Sequence, residues 1–523
     1  MLTLAALTLI SAVAAQKVGR DTPETHPRLT YQTCTASGCR NVNGEVVIDA
    51  NWRWFHDANF QNCYDGNSWT DACSSNQECA EICQAEGARY SETYGVTTSG
   101  NSLRLNFVTD HQYGTNVGSR MYLMQSSTRY RHFNLIGNEL AFDVDLSTVA
   151  CGLNSALYFV AMPADGGMST QPENTAGARY GTGYCDSQCA RDLKFLGGEA
   201  NYEGWEPSDT DDQAGVGARG ACCAEIDVWE SNAHSYALTP HACSNNDYHI
   251  CVENEGDGCG GTYSDDRYAG LCDANGCDYN PYRHGNTDFY GEGKTVDTSR
   301  PFTVVTQFST DRLAQFFIQD GQRYDPPSST YDVPGTPDVT QEFCDAVFDA
   351  FGDHNRYAEV GGWSAMEDAL SVPHVLVLSI WADHYANMLW LDGAWPRDAD
   401  PSAPGVTRGD CPADSGDPTD VINQHGDAYV SRYTLKCLAL ANVFSPATSP
   451  GPTSAGVPSA PPPISPRVVL LALLYLLSYH SSPAVSAVQI GNKKAWVGGA
   501  GCTVQVLLRY ILMAMTRVDD HLN

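Results

Sequence analysis

The strongest constraint on the fold is the texture of residues 16–444, where short apolar or alternating runs are separated by clusters of Gly, Asn, Asp and Pro. Such alternation is typical of half-buried strands, and the turn residues reverse the chain between them. Helical patterning is minor, as at residues 77–90 and 341–350. Residues 313–324 predict a hairpin that turns on Asp320-Gly321. The sequence therefore predicts an all-β sandwich, with strand-like runs at residues 45–48, 104–108, 134–146, 156–162, 302–308 and 374–381.

Composition narrows the class of protein. A length of 523 residues allows one large β-rich domain with appendages, or two to three ordinary domains. The 62 acidic residues against 30 basic ones give a net charge of −32, so we expect neither nucleic acid nor an anionic membrane surface as a partner. The 20 cysteines indicate an oxidising compartment.

The two ends of the chain differ from its body. Residues 1–15 are apolar and then small, which predicts a secretory signal cleaved before Gln16, although a short buried helix has a similar composition. Residues 445–466 hold 8 of the 27 prolines and predict an extended linker. The apolar run at 468–477 is shorter than the ~20 residues of a spanning helix, so we expect no membrane anchor. We leave residues 467–523 as an unassigned tail, for which we favour a mistranslated or mis-spliced end over a genuine novel tail.

Several short motifs that match known functional motifs do not indicate a function in this sequence. Residues 215–220 match G-x-G-x-x-G, but a polar run precedes them instead of a strand, which favours a flexible loop. Asp414-Ser415-Gly416 is best interpreted as a turn. No H-E-x-x-H or G-x-S-x-G occurs, and the cysteines lack paired C-x-x-C zinc spacing. We therefore expect no metal, no cofactor and no serine nucleophile.

The informative string is residues 224–232, A-E-I-D-V-W-E-S-N. In a strand, Glu225 and Asp227 share one face, roughly 6–7 Å apart, whereas Glu230 is out of phase. A bulge near Val228 or Trp229 would return Glu230 to that face. Clustered carboxyls raise one another's proton affinity, so that one remains an acid while another is an ionised nucleophile, as in glycosidases. The alternative is a solvated strand face in a very acidic protein.

Four tryptophans favour the glycosidase interpretation. Trp52 and Trp54 follow the run 45–48 at positions i and i+2, where they could share a face as a flat platform. Trp381 and Trp390 lie at and beyond the end of another run. Indole faces stack on sugar rings while polar groups bind the hydroxyls. Core packing is the alternative for any single tryptophan, but four near polar loops predict a long groove.

These residues occur in motifs that resemble the fungal glycoside hydrolase family 7 cellulases, and within them the cellobiohydrolases. The resemblance runs from about residue 16 to 435 and includes VVIDANWRW (46–54), NCYDGNSW (62–69), YGVTTSGNSL (94–103), CGLNSALYFV (151–160), NTAGARYGTGYCDSQC (174–189), GCGGTYSDDRY (258–268) and YANMLWLD (385–392). It implies a two-sheet antiparallel β-jelly-roll sandwich of the concanavalin type, whose long loops enclose a cellulose-binding tunnel.

The resemblance also implies the roles of particular residues. Glu225 matches the nucleophile, Glu230 the general acid/base, and Asp227 the residue that orients the nucleophile. The implied substrate contacts are Trp52, Trp54, Tyr158, His241, Arg267, Arg283, Trp381, Trp390 and Arg408. The implied activity is that of a secreted, monomeric, retaining enzyme that releases cellobiose from cellulose chain ends, chiefly reducing ends.

The family's disulfide pairing can be carried over in the same way. It implies Cys34–Cys39, Cys63–Cys83, Cys73–Cys79, Cys151–Cys411, Cys185–Cys223, Cys189–Cys222, Cys243–Cys272, Cys251–Cys259 and Cys277–Cys344. A tenth family bridge has lost both partners, and Gln84 stands at one of its positions. Cys437 and Cys502 are left unpaired.

The sequence departs from the family pattern at some positions, and two alternative functions remain. Asn275 and Ala382 each stand where the family commonly has Asp, and the tail does not resemble a cellulose-binding module. An open-cleft endo-β-1,4-glucanase of the same family is the first rival, although the long segments 205–220 and 243–293 favour a covered tunnel. A non-catalytic β-sandwich lectin is the second, and the presence of all three carboxylates argues against it.

Overall fold

The computed structural model describes residues 16–35, 37–171, 174–439, 486–490 and 493–497. The predicted signal (1–15), the linker (445–466) and most of the tail lie outside the described residues. The chain divides into two units, residues 1–444 and 445–523. The second unit is described only as an antiparallel hairpin of the strands Ser486–Ile490 and Lys493–Val497.

Hydrogen bonds join 17 strands of the first unit into one network, which folds into two layers. The first layer has the order Gly38–Ile48, Ser119–Ser126, His374–Ala382, Leu153–Val160, Glu225–Ser231 and Tyr236–His241. The second has the order Val96–Ser99, Ser102–Asn106, Tyr429–Ala439, Asn138–Asp145, Phe302–Phe308 and Arg312–Gln319, with Gln322–Tyr324 and Val339–Thr340 at its edge. Arg28–Thr35 pairs with both Gly38–Ile48 and Tyr429–Ala439 and so links the layers. The two-sheet sandwich is confirmed, and we call Glu225–Ser231 the carboxylate strand.

Alternation along the strands decides what each face of the first layer contacts. Leu157 and Phe159 pack into the same buried cluster as Phe142 and Val304 of the second layer. Tyr158, between them in sequence, belongs to a different cluster that includes residues of the loops. The core therefore lies between the layers, and the other face of the first layer is open to loops that can shape a binding site.

Helices and short strands occupy the connections. Gln341–Phe351 matches the predicted helix and begins at Thr340, whose side chain accepts from the N–H of Phe343. The predicted helix at 77–90 is instead broken by extended backbone at Cys83. The hairpin on Asp320-Gly321 is confirmed by the pairing of Gln319 with Gln322. The helices are Asn76–Ile82, Tyr90–Thr93, Gln341–Phe351, Arg356–Glu359, Gly362–Ser371, Leu389–Asp392 and Pro418–His425, with 3-10 turns at Ala50–Trp52 and Ala178–Tyr180.

The remaining short strands form small two- and three-stranded sheets or, for Arg129–Tyr130 and His132–Phe133, pair with strands of the first layer. They are Lys17–Val18, Phe55–His56, Tyr64–Asp65, Ser68–Trp69, Gln84–Ala85, Val108–His111, Gly114–Val117, Arg129–Tyr130, His132–Phe133, Phe195–Leu196, Glu199–Ala200, Glu206–Pro207, Gly215–Val216, Arg219–Cys222, His249–Val252, Tyr290–Gly291 and Val296–Asp297. Gly215–Val216 lies within residues 215–220 and Arg219–Cys222 begins there, so the glycine-rich string is partly strand and not the flexible loop expected from its sequence. No helix in the described part of the chain is long and apolar enough to span a bilayer.

All nine expected disulfides are present among the described residues. Where the tenth bridge is missing, Lys17–Val18 pairs in parallel with Gln84–Ala85. The Glu86 carboxylate also accepts from the N–H groups of Asp21 and Thr22, at 3.1 and 2.7 Å. Hydrogen bonds therefore hold the N-terminal segment at the place of the absent covalent link.

Candidate active site

The carboxylate strand contains the predicted bulge. Its register shifts after Asp227 against both neighbouring strands: pairing resumes at Trp229 with Leu153–Val160 and at Glu230 with Tyr236–His241. Val228 and Trp229 are consecutive, yet both pack into the core between the layers. The extra residue returns Glu230 to the face that carries Glu225 and Asp227. One strand therefore directs all three carboxyls to the loop-covered face.

Glu225 is buried and accepts hydrogen bonds from Ser187. It is 7% exposed, and its Oε2 accepts from the N–H and the hydroxyl of Ser187 at 3.1 and 2.8 Å. Burial, followed by the nearby charge of Asp227, raises the pKa of Glu225 to about 8, while the charge of His241 and the Ser187 hydrogen bonds oppose that rise. The donors from Ser187 favour the ionised form.

Asp227 is bonded to a histidine of fixed orientation. His241 Nδ1 lies 2.8 Å from the carbonyl oxygen of Asp273, so this nitrogen carries the proton. His241 Nε2 lies 2.9 Å from Asp227 Oδ2, so the imidazole and the carboxyl share a hydrogen bond. Burial is the main cause that raises the pKa of Asp227 well above its ordinary value.

Glu230 has a different environment. Its Oε1 accepts from the amide of Asn154 at 3.0 Å. Burial and then the charge of Asp227 raise the pKa of Glu230 well above its ordinary value, and the Asn154 amide opposes this only in part. Glu225 thus has two donors to its charged form, whereas Glu230 has one and is better suited to carry a proton.

The carboxyls and the histidine also form the natural candidate for a cation site. One ligand atom each of Glu225, Asp227 and His241 lies within 4.8 Å of the others. These atoms are already engaged, because Ser187 donates to Glu225 and the other two side chains bond each other. The donor set therefore fits a proton-sharing cluster better than a metal centre.

Ser187 is fastened to the carboxylate strand by two disulfides. It lies between Cys185 and Cys189, which are bonded to Cys223 and Cys222. Cys222 and Cys223 come directly before the start of that strand. The loop that supplies the donors to Glu225 is thus joined covalently, on both sides of Ser187, to the segment that leads into Glu225.

Tyr158 begins a row of side chains that leads away from the carboxyls. It pairs with Asp227 in register, and its hydroxyl lies 3.0 Å from that of Tyr184. The guanidinium of Arg120 lies 3.4 Å from the ring centroid of Tyr184 and 5.4 Å from that of Trp52. Trp52 therefore belongs to the same face as the carboxyls, several side chains away.

Trp52 and Trp54 do not form the flat strand-face pair that their spacing suggested. Asp49 accepts from the N–H of Asn51 and starts the 3-10 turn Ala50–Trp52, so the backbone leaves the extended conformation there. The Trp52 indole donates to the carbonyl of Val117 at 3.3 Å. Trp54 is 40% exposed, and the two indoles have separate surroundings.

Trp381 and Trp390 do lie together. Their ring centroids are 6.4 Å apart with planes inclined by 28°. The buried carboxylate of Asp383 accepts from Trp390 Nε1 at 2.9 Å and also from the N–H groups of Tyr385, Ala386 and Met388. Trp381 is the strand residue paired with Asn154, whose amide donates to Glu230, so this stacked pair lies on the side of the site where Glu230 is.

Two of the three arginines predicted to contact substrate lie beside the same aspartate. Arg283 forms an ion pair with Asp278, and Arg408 Nη1 lies 3.6 Å from the same carboxylate. Burial lowers the pKa of Arg408 to about 10, and its buried Nε has no partner among the described residues. Arg267 lies apart from them and donates to Asn275 Oδ1 at 2.6 Å. Asn275 therefore keeps a contact with an arginine despite lacking the family's negative charge.

Ser187 and Asn154 are the hydrogen-bond partners of the carboxyls that the sequence did not predict. Ser187 is 38 residues from Glu225, and Asn154 is 76 from Glu230. For Ser187 a signal did exist, because the expected pairing of Cys185 and Cys189 with Cys223 and Cys222 brings residues 185–189 beside the carboxylates. For Asn154, the sequence indicated only that the residue lies in a strand, and nothing placed it near Glu230.

Comparison with known proteins agrees with this geometry. The sequence profile described as Glycosyl hydrolase family 7 matches residues 18–442. A crystal structure of a cellobiohydrolase from Melanocarpus albomyces complexed with cellotetraose is 61% identical, with a TM-score of 0.79 over 81% of this chain and 99% of that one. The chain is thus a glycoside hydrolase of the β-sandwich type. It belongs to glycosyl hydrolase family 7.

Other members of the family are more distant. A family 7 cellobiohydrolase from Daphnia pulex is 41% identical, with a TM-score of 0.78 over 81% of this chain and 99% of that chain. An endocellulase from Humicola insolens is 34% identical, with a TM-score of 0.68 over 82% of this chain and 100% of that chain. The similarity is therefore greater to these cellobiohydrolases than to this endocellulase.

Proposed function

We propose that the protein is a secreted, retaining cellobiohydrolase that cleaves β-1,4-glucosidic bonds of cellulose and releases cellobiose from chain ends, chiefly reducing ends. The observation that carries the proposal is the bulged strand with Glu225, Asp227 and Glu230 on one face. The relatives described above support the substrate. Nine disulfides support an extracellular location, and we expect a monomer.

The proposed reaction is a double displacement. Glu225, ionised with the help of Ser187, attacks the anomeric carbon while Glu230 donates its proton to the departing glycosidic oxygen. A glycosyl ester on Glu225 results. Glu230, now a carboxylate, removes a proton from water, which attacks the same carbon and breaks the ester bond. Asp227 orients Glu225 throughout, and retention requires the two reacting carboxyls to be ~5–5.5 Å apart.

Glu225→Gln tests the assignment of the nucleophile. The amide is close in shape but cannot form the ester, so we expect no turnover of a soluble cello-oligosaccharide with binding preserved. Asp186→Asn offers a matched control, because Asp186 is also a buried carboxyl near Glu225 but has no covalent role. Turnover by Glu225→Gln close to that of the wild type would refute the mechanism.

An endo-acting enzyme of the same family is the second candidate, since an endocellulase is also a relative. One contact favours the exo-acting form. The loop that carries Thr210 reaches the segment after Trp381, where His384 Nδ1 lies 2.8 Å from the carbonyl oxygen of Thr210. Such a contact helps to cover the groove. Product analysis on crystalline cellulose separates the two, because exo action gives mainly cellobiose and endo action lowers the viscosity of a soluble cellulose rapidly.

A further inference from the structure

Phe60 is an exposed aromatic residue beside an exposed tryptophan. It is 57% exposed, and Trp54 is 40% exposed. Their ring centroids are 6.3 Å apart, and their planes differ by only 25°. Single exposed apolar residues are ordinary, but two large adjoining rings form a patch that suits a ligand. Their spacing is comparable to the length of one glucosyl residue.

A buried histidine fixes both rings. His56 is 2% exposed, and its ring centroid lies 4.3 Å from that of Trp54 and 4.9 Å from that of Phe60. His56 is itself held on both sides, by Glu86 Oε1 at 2.9 Å and the carbonyl of Asp57 at 2.6 Å. The patch is therefore preorganised, which lowers the entropic cost of binding.

The backbone at Phe60 supports a dedicated role. Phe60 has a φ of 63°, in the left-handed region, which is unfavourable for a residue other than glycine. Asp57 maintains this turn, because its Oδ1 accepts from the N–H groups of Asn59 and Gln61 at 2.8 Å each. Local preference would favour glycine or asparagine at this position. The turn thus holds a phenyl ring outward at a conformational cost.

The surroundings suit a neutral, hydroxyl-rich partner. Asn62 Oδ1 accepts from the Trp54 indole at 2.8 Å, and exposed amide side chains of Asn59 and Gln61 flank Phe60. Residues 55–72 contain three aspartates and neither Lys nor Arg. A polyanion would therefore be disfavoured, whereas a glucan offers ring C–H faces for the aromatics and hydroxyls for the amides.

We propose that Phe60 and Trp54 form a two-ring platform that binds a β-1,4-glucan chain. The binding surface for the chain thereby extends beyond Trp54. The proposal rests on the function proposed above. Phe60 makes no contact with the three carboxyls. It therefore helps to capture the polymer and does not take part in the chemical step. It should consequently matter for long or crystalline substrates and not for short soluble ones.

The test compares Phe60→Ala with the wild type in two assays. Stacking by one aromatic ring contributes about 0.5–1.5 kcal/mol, so we expect adsorption to crystalline cellulose to weaken about 2- to 12-fold, with a parallel loss of the initial rate of cellobiose release. The kcat/KM for a soluble aryl cellobioside should not change. Phe60→Trp should restore adsorption, and Met168→Ala, which removes another exposed apolar side chain (42% exposed), should change neither assay.

The results that would overturn the proposal are distinct from those that would overturn the function. Wild-type adsorption by Phe60→Ala would contradict it, as would an equal loss on the soluble substrate, because that would assign Phe60 to the fold. A change of oligomeric state without a change in cellulose binding would identify a contact between copies instead. If the wild-type protein itself does not hydrolyse cellulose, the proposed function fails first.

Discussion

Replacing Ser187 with alanine tests how the nucleophile is kept ionised. Ser187→Ala removes the hydroxyl that donates to Glu225 at 2.8 Å and keeps the N–H donor at 3.1 Å. A hydrogen bond to a charged group contributes about 1.5–3 kcal/mol, and about 1.4 kcal/mol corresponds to one pKa unit. We therefore expect the pKa of Glu225 to rise by about one to two units.

The pH dependence of turnover gives the direction of the effect. Glu225 must be ionised to attack, so activity is lost as the pH falls through its pKa. A higher pKa moves the acidic limb of the kcat/KM profile to higher pH by about one to two units, and turnover below that limb should fall about 10- to 100-fold. The assay is hydrolysis of a soluble aryl cellobioside from acidic to alkaline pH, because the pKa of Glu225 is about 8 before the substitution.

Ser119→Ala is a suitable control. Ser119 is also fully buried, at 1% exposure, but its hydroxyl has no hydrogen-bond partner among the described residues, so its loss should leave the acidic limb in place. Thermal unfolding of both variants checks that the fold survives. An acidic limb of Ser187→Ala at the wild-type pH, with only the plateau rate lowered, would refute the reasoning.

Three further substitutions have definite expected outcomes. Asn154→Ala removes a donor to ionised Glu230, so the pKa of this acid should rise and the alkaline limb of the pH–rate profile should move to higher pH. Asp383→Ala removes one acceptor for three backbone N–H groups and an indole, and urea denaturation should show a loss of about 1–3 kcal/mol. Glu24→Gln breaks the buried pair with Arg53 at 2.6 Å and should cost about 3–5 kcal/mol near neutral pH. The paired arginine lowers the pKa of Glu24 against burial, so the stability advantage of the wild type should disappear as acid titrates the carboxyl; a gap that persists in acid would contradict this.

The local sequence pattern predicted the fold well, because a β-sandwich is built from strands in which apolar and polar residues alternate. The runs at 302–308 and 374–381 became the strands Phe302–Phe308 and His374–Ala382. The helix Gly362–Ser371 was missed, since Gly361 and Gly362 at its start, both at positive φ, resemble a turn. Its apolar positions are satisfied only by packing against the core, which a single sequence does not reveal.

The site was predictable only where its residues are close in sequence. The bulge at Val228 and Trp229 could be inferred because three acids needed a common face. The partners of those acids could not, since Asn154 comes from a neighbouring strand and Ser187 from a distant loop. The interpretation of Trp52 and Trp54 as a strand-face pair ignored Asp49, a side chain that commonly begins a helical turn.

The two disulfides beside Ser187 make catalytic competence a consequence of oxidative folding. The three carboxyls lie on one strand of a layer whose apolar face packs in the core. Only after Cys185 and Cys189 are oxidised is the donor loop secured against the strand that carries Glu225. A chain made in a reducing cytosol could thus reach its sheet structure and still be a poor enzyme, so that entry into an oxidising compartment acts as a maturation step for the nucleophile.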